Sequence, residues 1–395
     1  MKKRPLIAGI FSILVVVIGF VTPARAEFIY GLESNSSALT NAPFGLVRFD
    51  SATPGTVTTI GNFTGVIPGQ TVRTIDFRPA NGVLYAISTN GAAAAQLYSV
   101  NLATAVLTPI GVGGFTLGTN TDPRVEMDFN PVVDRIRIVT GETGTLGRNN
   151  NFRLNPNTGV LVTANDTNLV YAPADANANL TDFILTAAAY SNNTAGAATT
   201  TLYGWDWAFD TLVTIGSVGG ATSPNTGSMF TINTPLSFIT QNSAVGMDIS
   251  GSSATCYVTH DNPPAGTSMS LFSRNVTTGV QTTLGAYPAS RFIVDISVQS
   301  APLAAGVTIS GRLLNSEGRG IVNARVKLTN PDGSIRSVFT IKGGRYAFDD
   351  VETGATYIVT AQSRNYQFAE PTRIISLTDA IADLDFVGTS IFVSR

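Results

Sequence analysis

Four aspartates recur in near-identical surroundings: Asp76 in IDFRPANG, Asp128 in MDFNPVVD, Asp248 in MDISGSSA and Asp295 in VDISV. Each lies between two apolar residues of a strand-like run, so the four mark one equivalent position of a repeated unit. Set around a pseudo-symmetry axis on an innermost strand, they form a ring of carboxylates lining a central channel. Such oxygen ligands suit a hard cation such as Ca2+, and central carboxylates can also act as the acid and base of glycoside hydrolysis. The structural alternative is that each aspartate accepts backbone hydrogen bonds beside its own hairpin turn and fixes the strand joint. One residue type repeated by symmetry fits that role better than an acid/base pair, which needs two carboxylates in different environments. No catalytic or cofactor-binding residue is therefore assigned, and Ca2+ on Asp76, Asp128, Asp248 and Asp295 is kept as the metal to test.

Other side chains with chemistry are few. Tyr203, Trp205 and Trp207 cluster in LYGWDWAFD and could stack a sugar, although filling the space between neighbouring units is the simpler expectation. The sole histidine, His260, precedes Asp261-Asn262-Pro263-Pro264 and is expected in a rim loop. A histidine-rich metal site is excluded, and no Gly-x-Ser-x-Gly turn accompanies His260 to suggest a nucleophilic triad. Cys256 is the one cysteine, which rules out an intramolecular disulfide or a cysteine zinc cluster, and its strand context suggests a buried, inert thiol.

The elements that must position these residues are copies of two units. Unit A, IDFRPANGVLYAI at residues 75–87, reads as a β-hairpin in which Pro79 presets the turn and Gly82 supplies a positive φ. It returns at residues 127–139 and 247–258, with a weaker copy that places Ala188 at the aspartate position. Unit B is a strand, a turn with Thr-Gly or a close variant, and a threonine-rich strand, as in LVRFDSATPGTVTTIG at residues 46–61. A and B alternate throughout. FIVDISV at residues 292–298 looks like the first strand of a unit A that lacks its second, and FIYGL at residues 28–32 supplies that second strand. Joining the two ends of the array in one sheet removes the open edges of a ring of blades.

The spacing sets the number of units. From Asp76 to Asp128 is 52 residues, from Asp128 to Asp248 is 120, or two periods, and from Asp248 to Asp295 is 47. Five positions follow, and with two A strands and two B strands each they predict a five-bladed β-propeller. The alternative is six blades, with residues 227–238 completing a divergent one.

The repeat region, about residues 27–299, resembles a bacterial family catalogued as domain-of-unknown-function family 4394. IYGL, FNPVVDRIRIV, LNPNTG and TTTLYGWDWAFDTLV carry the likeness, and irregular joints such as TTTLYG recur as well as the periodic strands. The resemblance implies an exported propeller-like module and brings no activity with it. After a small-residue linker at 300–306, the chain becomes more charged and alternates apolar and polar residues through GRLLNSEGRGIVNARVKLTN and GGRYAFDDVETGATYIVTA. This part, residues 307–388, is similar to the carboxypeptidase regulatory-like domain and is expected to form a seven-stranded β-sandwich, followed by a tail at 389–395. Such domains accompany other extracellular modules and are not themselves catalytic.

Composition and the N-terminus bound the function. Charged residues are 13% of the chain, about half the usual ~25%, and the net charge is only -2, so no basic footprint for nucleic acid exists. Lys2, Lys3 and Arg4 precede an apolar run and then Ala24-Arg25-Ala26, the pattern of a signal peptide cut after Ala26. The apolar run, about 16 residues, is short of the ~20 that span a bilayer. An all-β, monomeric protein outside the cytoplasm is expected, whether secreted, periplasmic or on the cell surface, with no membrane span after cleavage. Two functions stand: a non-catalytic module binding an extracellular glycan or protein, or a hydrolase or lyase acting on a glycan or lactone in the channel.

Overall fold

The turn residues of unit A dictate its geometry. Thr71–Phe77 pairs antiparallel with Leu84–Thr89, and between them Gly82, at φ 66°, donates its N–H to Arg78 O at 2.8 Å. The left-handed residue recurs six positions after the aspartate in the next two copies, as Asp134 (φ 50°) and Ala254 (φ 55°). The repeat thus preserves a backbone shape even where no glycine provides it. A computed structural model supplies these coordinates and describes residues 26–36, 45–90, 94–117, 124–141, 150–162, 166–180, 182–232, 245–261, 268–299, 307–330, 335–351, 355–377 and 379–391. The signal-peptide run and the linker lie outside the described residues.

Among the described residues, five sheets precede residue 299. The first has the order Phe292–Val298, Phe28–Ser34, Gly45–Asp50, Thr58–Asn62, and the second runs Thr71–Phe77, Leu84–Thr89, Ala94–Val100, Leu107–Thr116. The third is Val125–Asn130, Arg135–Thr140, Asn151–Leu154, with a single bridge from Leu154 to Leu161 beyond it. The fourth is Leu185–Tyr190, Leu202–Asp206, Thr211–Ile215, Ser228–Thr231, with Val170–Tyr171 added in parallel. The fifth is Val245–Ile249, Cys256–Asp261, Met269–Arg274, Gln281–Ala286. Ser228–Thr231, the start of the segment considered for a sixth unit, pairs with Thr211–Ile215 and so extends the fourth sheet.

The split copy is joined as its two halves require. Phe28–Ser34 lies antiparallel to Phe292–Val298, with Gly31 opposite Ile296 and Leu32 opposite Asp295. The fit is close, since a Cβ at Gly31 would stand 2.5 Å from Ile293 Cγ2. Glu27 adds a polar clasp: its buried carboxylate accepts from the hydroxyls of Ser250 and Ser253, in the first turn of the fifth sheet, and of Tyr257 on its second strand. The leading strand of each sheet adjoins the next. Thr71–Phe77 lies beside Val125–Asn130, followed by Leu185–Tyr190, Val245–Ile249 and Phe292–Val298, which again lies beside Thr71–Phe77.

Beyond residue 306 two four-stranded sheets share one apolar core built on Ile309, Leu328, Tyr346, Phe348, Val359 and Phe386. The described residues hold eight strands here, where seven were expected. The shortest, Tyr366–Phe368, is three residues long and forms an edge against Phe386–Ser390. No helix among the described residues is long and apolar enough to cross a membrane.

Because Phe28–Ser34 links the two ends of the array, deleting Phe28–Leu32 is expected to unfold all five sheets together. Urea unfolding followed by near-UV signal should lose its native baseline; local fraying with an intact transition would contradict this.

Candidate functional site

The four repeat aspartates lie on the leading strands and are almost wholly buried, at 1–2% exposure. A leading strand is a sheet edge, so one side of its backbone has no strand partner. The aspartates supply the missing acceptors, and they do so across the joint to the next sheet. Asp76 Oδ2 accepts from Phe129 N at 2.8 Å and Asp128 Oδ1 from Tyr190 N at 3.1 Å. Asp248 Oδ2 accepts from Val298 N at 2.6 Å, and Asp295 Oδ2 from Ile75 N at 2.9 Å. Expectation placed these bonds beside each aspartate's own turn, whereas the donors belong to the neighbouring leading strand. Asp248 and Asp295 also accept from the N–H of the residue that follows them.

Residues two positions away repeat the device. Thr74 Oγ1 accepts from Met127 N at 3.1 Å, and Ser297 Oγ accepts from Phe77 N at 3.0 Å. The Ser297 hydroxyl stands 2.8 Å from Asp76 Oδ1 and 3.2 Å from Asp248 Oδ2, so its single proton can serve one carboxylate at a time. Ser297 and Thr74 were not singled out from sequence. The signal was present, because period-two alternation puts residues two apart from an aspartate on its face. On the fourth sheet the Ala188 side chain has no acceptor to offer, and Thr186, two residues before it, buries its hydroxyl without a hydrogen-bond partner among the described residues.

The joints bring the carboxylates together. One oxygen from each of Asp76, Asp128 and Asp248 lies within 4.8 Å of the others. Burial raises the pKa of Asp76 well above the ordinary carboxylate range, with the nearby Asp248 charge adding to it. Asp128 is raised likewise, first by burial and then by Asp76 and Asp248. Burial lifts Asp248 to about 6 and Asp295 to about 7 against their lowering hydrogen bonds, and it raises Glu126 too. Like charges this close cannot all ionise in a low-dielectric interior. Two devices can neutralise them: shared protons, or a hard cation on Asp76, Asp128 and Asp248.

The other singled-out residues are placed as follows. Tyr203 and Trp205 are buried in a core cluster with Ala187, Ala189, Met247 and Cys256, between the fourth and fifth sheets. The Arg274 guanidinium covers the Trp205 ring at 4.1 Å, and Trp207 is only partly buried against the same cluster. His260 is not in a loop, since strand Cys256–Asp261 continues through it and its ring stacks on Phe272 at 4.0 Å. Burial lowers its pKa to about 4, so it is neutral at physiological pH. Cys256 is buried and its thiol is pushed up to about 12, which leaves it unreactive.

Fold and site together define an all-β chain of repeated antiparallel sheets stitched by buried aspartates. The chain belongs to the family described as a domain of unknown function (DUF4394), which matches residues 45–297, and a carboxypeptidase regulatory-like domain matches residues 308–387. No curated protein matches. Among solved structures, TolB from Acinetobacter baumannii is similar at 12% identity over 82% of this chain and 67% of that one, with a TM-score of 0.31. A C-terminal fragment of the pilus adhesin SpaC from Lactobacillus rhamnosus GG matches at 11% identity over 50% and 72%, with a TM-score of 0.24. BcpA, the major pilin subunit of Bacillus cereus, matches at 10% identity over 35% of this chain and 39% of its own length, with a TM-score of 0.20. The chain likewise spans only 25% of the Bacillus anthracis TIE protein. At these TM-scores the likenesses carry no functional argument.

The raised carboxylates give a signed pH dependence. Aspartates whose folded pKa exceeds the unfolded value of about 4 make the folded state bind more protons. Their stabilising share is full below about pH 4 and is lost as pH climbs through about 6 for Asp248 and about 7 for Asp295. In chelator, the thermal midpoint should fall between pH 5 and pH 8 by on the order of 5 °C. Added Ca2+ should leave it in place at pH 8. A midpoint that rises with Ca2+ there would mean that a cation, not protons, neutralises the cluster.

Proposed function

We propose that residues 27–299 form a five-bladed β-propeller that is exported after cleavage behind Ala26. With the regulatory-like sandwich at 307–388, it acts as a monomeric, non-catalytic binding or surface-interaction module outside the cytoplasm. The closed succession of five leading strands supports the blade count, because each sheet then presents its first strand to the centre and the first sheet is completed by both ends of the array.

The observation that carries the non-catalytic reading is the state of the central carboxylates. Acid/base hydrolysis needs two carboxyl groups in an open pocket, in environments that push their pKa values apart. Asp76, Asp128, Asp248 and Asp295 are instead closed off from solvent and tied to backbone N–H groups of adjoining strands. A substrate reaching them would have to displace those hydrogen bonds. The partner fitting the reading is an extracellular glycan or protein held by the loops and outer surfaces.

The purified mature protein is expected to give no turnover on a panel of polysaccharides, aryl glycosides and lactones. Turnover that disappears in Asp76→Asn at an unchanged thermal midpoint would overturn the reading.

A further inference from the structure

A cavity of about 160 Å³ opens between the third and fourth sheets. Three arginines line it: Arg135 and Arg137 from strand Arg135–Thr140, and Arg153 from Asn151–Leu154. Across from them stand Tyr190 and the loop residues Ser223 and Asn225. The Asp166 carboxylate is set against two of these guanidiniums, 2.9 Å from Arg153 Nε and 3.7 Å from Arg137. Asp134, beside Arg135 in sequence, is engaged by the side chain of Arg78.

Arg137 is the telling residue. Its side chain is only 3% exposed, and a buried cation is costly unless it is paired. Its direct hydrogen bonds go to neutral acceptors: Asn151 Oδ1 at 2.9 Å, Asn225 Oδ1 at 2.6 Å and, more weakly, the Tyr190 hydroxyl at 3.4 Å. These hold the guanidinium in place beside the Asp166 carboxylate that it shares with Arg153, and a guanidinium so fixed is preorganised for a further anion. Arg135 stands half-buried at the same cavity and directs one N–H to Asp134 O at 2.9 Å, and its planar fork suits the oxygens of a carboxylate or phosphate. The cavity is smaller than the ~300 Å³ at which pockets for drug-sized ligands begin. It therefore fits a single acidic group on a short stem.

We propose that this cavity binds a small oxyanion, a phosphate or the carboxylate of a sugar acid, through Arg135, Arg137 and Arg153. The site draws on the third and fourth sheets and the 223–225 loop, so it does not depend on the blade count.

Calorimetric titration of the full mature chain with inorganic phosphate and, separately, with glucuronate tests it, with glucose as the uncharged control. Saturable binding of at least one anion is expected, weakening with salt, and the tighter of the two identifies the source of the acidic group. Arg135→Gln changes a half-buried side chain with one hydrogen bond to its neighbour, so the fold should survive and affinity should fall about tenfold. Val133→Glu, at an exposed position of the cavity wall, should weaken binding by placing a competing carboxylate there. No binding of either anion up to about 10 mM, equal binding of glucose, or affinity unchanged in both variants would overturn the proposal.

Discussion

The constraint on which the repeat region depends is the unpaired backbone at the leading edge of each sheet. A sheet that packs face to face with its neighbours cannot extend its ladder across the joint, so the edge N–H groups must find acceptors elsewhere or remain buried and unsatisfied. The chain answers with short side chains: Asp76 and Thr74 receive Phe129 N and Met127 N, and Asp295 and Ser297 receive Ile75 N and Phe77 N. Each carboxylate thus belongs to one sheet and bonds to the next. The repetition of aspartate follows the repetition of the joint.

This solution carries an electrostatic consequence. Placing acceptors at the convergence of the leading strands also places carboxylates near one another, away from water. Desolvation outweighs the hydrogen bonds they receive, so Asp248 and Asp295 titrate near neutrality and Asp76 and Asp128 are raised as well. Ala188 on the fourth sheet fits this picture, since a fifth carboxylate would add repulsion where four already share little solvent. The second domain is held differently, through an apolar core between two sheets.

Much of the architecture was legible in the sequence because it is local and periodic. Hairpin turns, alternation and the complementary halves at residues 28–32 and 292–298 all lie within short stretches, and the pairing of the two ends follows from them. What the sequence hid was the identity of partners across joints. The Asp76–Phe129 bond spans 53 residues and the Asp295–Ile75 bond spans 220, so a turn-local role was the nearest available reading. His260 lies inside its strand because the strand runs three residues past 258, to Asp261, before Pro263-Pro264. Arg135 and Arg137 sit two apart on one strand and could have been noticed, but Tyr190 and Asn225 come to them only through packing of different sheets.

The central claim is that these aspartates act as hydrogen-bond acceptors that need not be charged. Asp128 tests it most directly, because Oδ1 takes Tyr190 N while the rest of the carboxyl faces its like-charged neighbours. The measurement is the unfolding free energy at pH 8 of Asp128→Asn and Asp128→Ala. The account predicts that Asn, which keeps the acceptor and removes the charge, equals or exceeds the wild type. Ala, which leaves a buried N–H unpaired, should lose about 1–3 kcal/mol. An Asn variant as damaged as the Ala variant would contradict it.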